Sequence, residues 1–305
     1  MLTVSNYHYI RPHFEAKYPS IFGITPAVFE NQLKVLKNEG DFIHPKDLVA
    51  DFHSIVSSKA NYHFITFDDG LKEQWDYALP ILDSLNIPAI FFANSINFDE
   101  EKVTTVHKIH LLRSILAPHF IVEKLSESDS NALSSEEKTR AQTIYRYDDS
   151  ESAALKYLLN FKMSFKEQEV FIDNLFQFHY DEKSVLESLY MSKENLKQLA
   201  QNGYLGSHTH HHYPIGLLPK EAMEFELEHS KNYLETLTQT KIEMVSYPYG
   251  SPEACTEEVA ILAKNCGYQL GFTTQRGSNV GTENRLLLNR FDCNDLPGGK
   301  SYVAP

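Results

Sequence analysis

The run "HFITFDDGLKE" at residues 63–73 places two adjacent carboxylates and a glycine at the end of an apolar, strand-like segment. Like charges so close repel, and burying either one is costly unless another group compensates. A compensating partner is therefore expected elsewhere in the chain. Other polar motifs also follow strand-like runs: "HTHHH" after "YLGS" (204–207), "YPYG" after "MVS" (244–246) and Arg290 after "LLLN" (286–289). In a barrel or open sheet of parallel strands the carboxyl ends share one face, where sites are built. Residues 68, 208, 249 and 290 can then converge although they are distant in sequence.

The rest of the chain supports an α/β reading, with strand-like and helical stretches in alternation. "LTVSNYHYI" reads as a first strand, "HFITF" as a second and "IPAIFFAN" as a third. "YLGSH", "MVSYP", "LGFTT" and "LLLNRF" repeat the pattern later. A helix is predicted over 26–39: Thr25 can cap it, Pro26 suits its first position, Phe29, Leu33 and Leu36 share a face, and Gly40 can end it. Another is predicted over 253–266, with Val259, Leu262 and Ala263 apolar and Gly267 closing. Residues 97–200 break the rhythm, being charged and helix-favouring, with apolar periodicity in "AALKYLLNF" and "EVFIDNLFQF". This stretch reads as a helical insertion with a flexible centre, either a structural appendage or a lid. Its aromatics Tyr145, Tyr147 and Phe161 suit core packing or sugar stacking equally.

The 305 residues suffice for a sizeable core, and 42% hydrophobic residues are ordinary for a globular protein. A net charge of −13 argues against nucleic acid as a partner. No apolar run approaches a membrane span, and "MLTVSNYHYIRPHF" lacks a signal-peptide layout. Cys255, Cys266 and Cys293 show no CxxC spacing, which suggests reduced thiols in a cytoplasmic protein.

Within "SHTHHHYP" (207–214), His208 and His212 are four apart, a spacing that on a helical turn puts both imidazoles on one side. Neutral imidazoles suit zinc and its neighbours. A catalytic site needs a third ligand and open positions for water, and one of the two aspartates can supply that ligand. If Asp69 binds the metal, the repulsion on Asp68 is relieved, and Asp68 is placed to act as a general base. The competing readings are a solvated histidine loop and an ordinary Asp-Asp-Gly turn, in which Gly70 permits the sharp bend.

Together these residues resemble the NodB-type polysaccharide deacetylases (carbohydrate esterase family four). "TFDDG" (66–70) matches that family's first motif, and His208, Thr209 and His212 fit its H-[ST]-x-x-H motif. "SYPYG" (246–250) and "LNRF" (288–291) resemble its later motifs, and "NYHYI" with the segment after it resembles the family's lead-in. The resemblance spans about residues 4–294, with 97–200 unmatched. It implies a distorted (β/α) barrel, a divalent metal on Asp69, His208 and His212, and Asp68 as base. It also implies that the Tyr249 amide helps stabilise an oxyanion. Zinc is the first expectation from the ligand types, with cobalt, nickel and iron also compatible.

Two departures from the family pattern matter. The late L-x-H motif that carries the general acid is absent, and His8 in "NYHYI" resembles the alternative acid of permuted members; a structural histidine is the competing reading. The third motif lacks the usual arginine, having Ser246 and Tyr247 there. Arg290 is then a candidate to pair with Asp68, against a purely structural ion pair elsewhere. The implied activity is N-deacetylation of an amino sugar, nucleotide- or lipid-linked in surface-glycan (lipopolysaccharide-type) biosynthesis. The alternatives are an O-deacetylase or non-sugar amidohydrolase using the same metal site, and a catalytically silent glycan-binding relative.

Overall fold

The computed structural model describes residues 1–126, 133–144 and 149–302; Tyr145 and Tyr147 lie outside them. Among the described residues are eight strands: β1 Leu2–Tyr7, β2 Asp41–Phe42, β3 Tyr62–Phe67, β4 Ala89–Ala93, β5 Leu205–Ser207, β6 Met244–Ser246, β7 Leu270–Phe272 and β8 Phe291–Asp292. All pairings between them are parallel, in the order β7-β6-β5-β4-β3-β1-β8, with β2 beside the start of β3. Residues 288–292 bring the two ends of the sheet together. Leu288 bridges Phe272 of β7, and Phe291 then pairs with Ser5 of β1. The architecture is a distorted (β/α) barrel.

Strand periodicity sets what faces inward. Leu2, Val4, Phe64, Ile90, Phe92, Met244, Leu270, Phe272 and Leu288 form one buried cluster, which we read as the barrel filling. The alternate positions Tyr7, Ile65, Phe67, Phe91 and Val245 join Phe29, Leu33, Leu36, Leu199 and Leu227 of the surrounding helices in another. The inward series of β1 continues through Asn6 to His8, and that of β3 through Thr66 to Asp68. Asn6 is in register with Thr66.

Helix Pro26–Glu39 has the predicted bounds; Thr25 caps it by accepting from the Val28 amide. Gly40 after it is extended. A Cβ there would lie 2.3 Å from the Asn61 carbonyl oxygen, so close approach is what demands glycine. Two expectations are corrected. The helix predicted over 253–266 runs from Glu257 to Asn265, because the Thr256 side chain caps Val259 and residues 252–255 form turns. "LLLNRF" is not a continuous strand: Phe291–Asp292 alone forms β8, since the chain is crossing from β7 to β1.

The chain divides into two compact units, one of residues 1–13, 23–102 and 183–305 and the other of 14–22 and 103–182. Residues 97–102 and 183–200 thus belong to the barrel unit. The second unit is helical. Within it the buried Lys108 ammonium pairs with Asp173 at 2.7 Å and Glu182 at 2.8 Å, and Ser20 Oγ donates to the His110 carbonyl at 2.7 Å. Phe161 is 52% exposed and so is not a core residue of that unit.

Candidate active site

Asp68 and Asp69 directly follow β3 and are 2% and 4% exposed. Their side chains have different partners. The carboxylate of Asp68 accepts two parallel hydrogen bonds from Arg290, Nη1 to Oδ1 at 3.0 Å and Nη2 to Oδ2 at 2.8 Å. Arg290 is itself buried; its Nε donates to the Thr273 carbonyl (2.6 Å), and Nη1 also lies 2.9 Å from Asn6 Oδ1 and 3.2 Å from Thr66 Oγ1. Such a fork matches a carboxylate in geometry as well as charge. Burial alone would raise the pKa of Asp68, but the Arg290 guanidinium beside it, with His208 and His8, holds it well below the usual carboxylate range. His8, just past β1, places Nε2 3.7 Å from Asp68 Oδ2 and is about one-third exposed.

Asp69 faces the two histidines instead. Its Oδ1 is 3.5 Å from His208 Nε2 and 3.3 Å from His212 Nε2. One donor atom from each of the three lies within 4.8 Å of the other two. Ligands about 2.0–2.1 Å from a tetrahedral ion stand roughly 3.3 Å apart, so the set fits a zinc-type ion. The second shell fits as well: His208 Nδ1 hydrogen-bonds the Ser246 carbonyl at 2.7 Å, which leaves Nε2 as the lone-pair nitrogen facing Asp69. Burial pushes the His208 pKa down to about 4, so the imidazole is neutral, as a ligand must be.

The histidine segment is a loop and not a helical turn, which corrects the spacing argument. What sets the two rings on one side is left-handed backbone at Thr209 (φ 63°) and His212 (φ 67°). Asp69 (φ 78°) and Tyr249 (φ 63°) share that conformation, so four of the seven described non-glycine residues with positive φ lie in the site loops. Such conformations persist only when their surroundings over-determine them. Gly70 (φ 63°) continues the turn begun at Asp69, and a Cβ on Gly250 (φ 60°) would fall 2.3 Å from the Thr274 nitrogen. The Tyr249 ring is half-exposed, with its centroid 5.5 Å from that of His212.

Several residues that hold the site were not singled out from sequence. Gln74, in a π-helical turn at Gln74–Ala78, donates to the Asp68 carbonyl at 2.6 Å and the His8 carbonyl at 3.0 Å. Glu226, on helix Lys220–Thr238 and 2% exposed, accepts from the His210 and His211 amides at 3.0 and 2.8 Å. Its other oxygen lies 2.5 Å from His211 Nδ1. Asn94 donates to the His208 carbonyl. A cavity of about 690 Å³, with Trp75, Asn97, Tyr190 and Lys193 in its wall, adjoins the Asp69 turn through the Met191 amide, which donates to the Gly70 carbonyl at 3.0 Å.

Known proteins resemble this chain in family and in fold. The polysaccharide deacetylase family profile matches residues 56–156 and 166–271, more than half of the chain. The chain belongs to the polysaccharide deacetylase family, a family of carbohydrate-directed hydrolases. A Bacillus subtilis (strain 168) protein named "Putative polysaccharide deacetylase YxkH" is 27% identical over 123 residues, a match covering 40% of this chain and 43% of that protein. Among solved structures, the Streptococcus pyogenes deacetylase PplD in complex with acetate superposes with a TM-score of 0.57 at 18% identity, covering 97% of this chain and 93% of that one. IcaB from Ammonifex degensii gives 0.56 at 19% identity over 95% and 90%. The BpsB deacetylase domain from Bordetella bronchiseptica gives 0.56 at 16% over 95% of each chain. At these identities the likeness speaks for the fold. No helix among the described residues is long and apolar enough to cross a membrane.

Proposed function

We propose that the chain is a divalent-metal-dependent N-deacetylase that hydrolyses the acetamide of an N-acetylated amino sugar. The observation that carries this reading is the division of the aspartate pair: Asp69 faces two histidines, while Asp68 beside it is buried and paired with Arg290. An ion held by Asp69, His208 and His212, zinc before cobalt, nickel or iron, supplies Lewis-acid charge and lowers the pKa of water at the site. Asp68, kept ionised by Arg290, takes one proton from the attacking water as its oxygen adds to the acetyl carbon. The Tyr249 amide, held in left-handed backbone, donates to the developing oxyanion. His8 protonates the amine nitrogen as the C–N bond breaks, because an unprotonated amide nitrogen is a very poor leaving group. The products are acetic acid, which ionises in water, and a free amine; the proton Asp68 took up restores the one His8 gave, so atoms and charge balance.

The finer reading is a nucleotide- or lipid-linked amino sugar of surface-glycan synthesis, met in the cytoplasm. It draws on the free thiols Cys255, Cys266 and Cys293 and on the cavity beside the Asp69 turn, whose wall offers Trp75 and Tyr190 for stacking on a sugar ring. The test is acetate release by the zinc-loaded protein from nucleotide-linked N-acetyl sugars, N-acetylated oligosaccharides and O-acetylated sugars. Release from N-acetyl substrates supports the proposal. Release from esters alone points to an O-deacetylase, and metal binding without any turnover points to a glycan-binding relative; either result overturns it.

A further inference from the structure

The loop that carries His208 and His212 offers a third histidine to a different set of carboxylates. His210 is fully buried. Its Nε2 lies 3.2 Å from Glu100 Oε1, and its ring centroid is 4.5 Å from that of His229 on helix Lys220–Thr238. His229 Nε2 in turn lies 2.7 Å from Asp99 Oδ2, at the end of helix Ile96–Asp99. One donor atom each from Asp99, His210 and His229 lies within 4.8 Å of the other two. Two imidazoles and two carboxylates thus converge from three separate parts of the chain.

We propose that Asp99, His210 and His229 form a second divalent transition-metal site, distinct from Asp69, His208 and His212, with Glu100 beside His210 as a neighbouring carboxylate. The ligand types are those of zinc and its neighbours, the three donor atoms lie within 4.8 Å of one another, and the His229–Asp99 separation of 2.7 Å needs a small change to reach the roughly 3.3 Å of ligands around a tetrahedral ion. Ser95 Oγ, 2.7 Å from His210 Nδ1, suits either tautomer. A hydroxyl donates to Nδ1 when Nε2 carries the proton, and accepts from Nδ1 when Nε2 is needed as a ligand. The ring of Phe225, stacked on His229 with centroids 4.8 Å apart, limits how far that imidazole can swing. An ion here would join helix Ile96–Asp99, the histidine loop and helix Lys220–Thr238 through three protein ligands.

The test counts zinc by elemental analysis on the full chain, stripped with chelator, reloaded with excess zinc and dialysed. Substitutions at His210 are avoided because that residue lies between two ligands of the first site. The wild type should retain two zinc ions per chain, Asp69→Asn one, His229→Ala one, and the double variant none. Asp99→Asn, close to isosteric, should match His229→Ala and serves if the latter folds poorly by circular dichroism. The proposal is overturned if His229→Ala and Asp99→Asn retain as much zinc as the wild type. If instead Asp69→Asn leaves the count unchanged while His229→Ala lowers it, the second site stands and the first is the one that fails.

Discussion

The loop 208–212 offers candidate metal ligands to carboxylates in two places, besides the Glu226 clamp, and the two differ in what surrounds them. Asp69, His208 and His212 sit beside a second carboxylate, Asp68, locked to a buried guanidinium in a bidentate pair. Asp99, Glu100, His210 and His229 border solvent: the Asp99 and His229 side chains are 32% and 37% exposed, and Glu100 also pairs with the exposed Lys102. The same ligand types therefore stand in two electrostatic settings. Only the first adds an ionised, desolvated carboxylate with His8 at its edge, which hydrolysis needs for moving protons. Ligand identity alone does not separate the proposed reactive centre from the proposed structural one; the neighbours do.

Replacing Asp68, the proposed base, tests that distinction most severely. Asp68→Asn should lower turnover roughly a hundred- to ten-thousand-fold while the Asp69 set still binds zinc, since neither histidine contacts change. Near-normal acetate release would remove Asp68 from its role. Arg290→Met should follow in size. It strands a buried carboxylate, and breaking such a pair from one side typically costs about 3–5 kcal/mol. Denaturant unfolding of the zinc-free protein reads this directly, and a loss below 1 kcal/mol would mean that Asp68 finds another cation or takes up a proton.

The clamp on the loop gives a smaller effect. Glu226→Gln keeps the side-chain shape but removes the charge that accepts from the His210 and His211 amides. Zinc affinity of the Asp69 set should weaken about 10- to 100-fold, measured by chelator competition in the His229→Ala background so that one ion is counted. Unchanged affinity would show that the left-handed backbone at Thr209 and His212 holds the ligands without Glu226.

How far the sequence could reach follows from the same contrast. Strand alternation and the motifs at strand ends were enough to expect a parallel sheet, barrel or open, on whose shared face residues 68, 208, 249 and 290 could converge, because period two is a local signal and parallel strands share an end. Closure into a distorted barrel was implied by the family resemblance. Arg290 as partner of Asp68 was legible as one of two readings. The rest depends on long-range placement. Glu226 sits on an otherwise amphipathic helix, and Gln74 in a π-helical turn that leaves no pattern in the residues. His229 and Asp99 are 130 positions apart. The positive φ at His212 and Thr209 leaves no readable signal, since histidine is enriched there but a β-branched threonine is disfavoured, which is why a helical spacing was inferred where a loop forms. The second unit's bounds, 14–22 with 103–182, include a piece far upstream that no periodicity marks.

The smallest effect comes from the exposed side of the comparison. In zinc-free protein the His229–Asp99 contact is a partly exposed pair, and such pairs contribute about 0–1 kcal/mol because water and salt screen them. His229→Gln, which retains a donor toward Asp99, should therefore shift the chelator-treated unfolding midpoint only slightly. With zinc present the wild type should gain stability that His229→Gln does not, since a ligand bound only by the folded state adds about 2.7 kcal/mol at a hundred times its dissociation constant. Unfolding curves of the Asp69→Asn and Asp69→Asn/His229→Gln proteins, each with and without zinc, isolate that gain. Equal zinc responses in the two would mean that the pair at Asp99 is a surface salt bridge and nothing more. A response lost only with His229 would make the loop's two sides alike in binding metal and different only in what lies beside it.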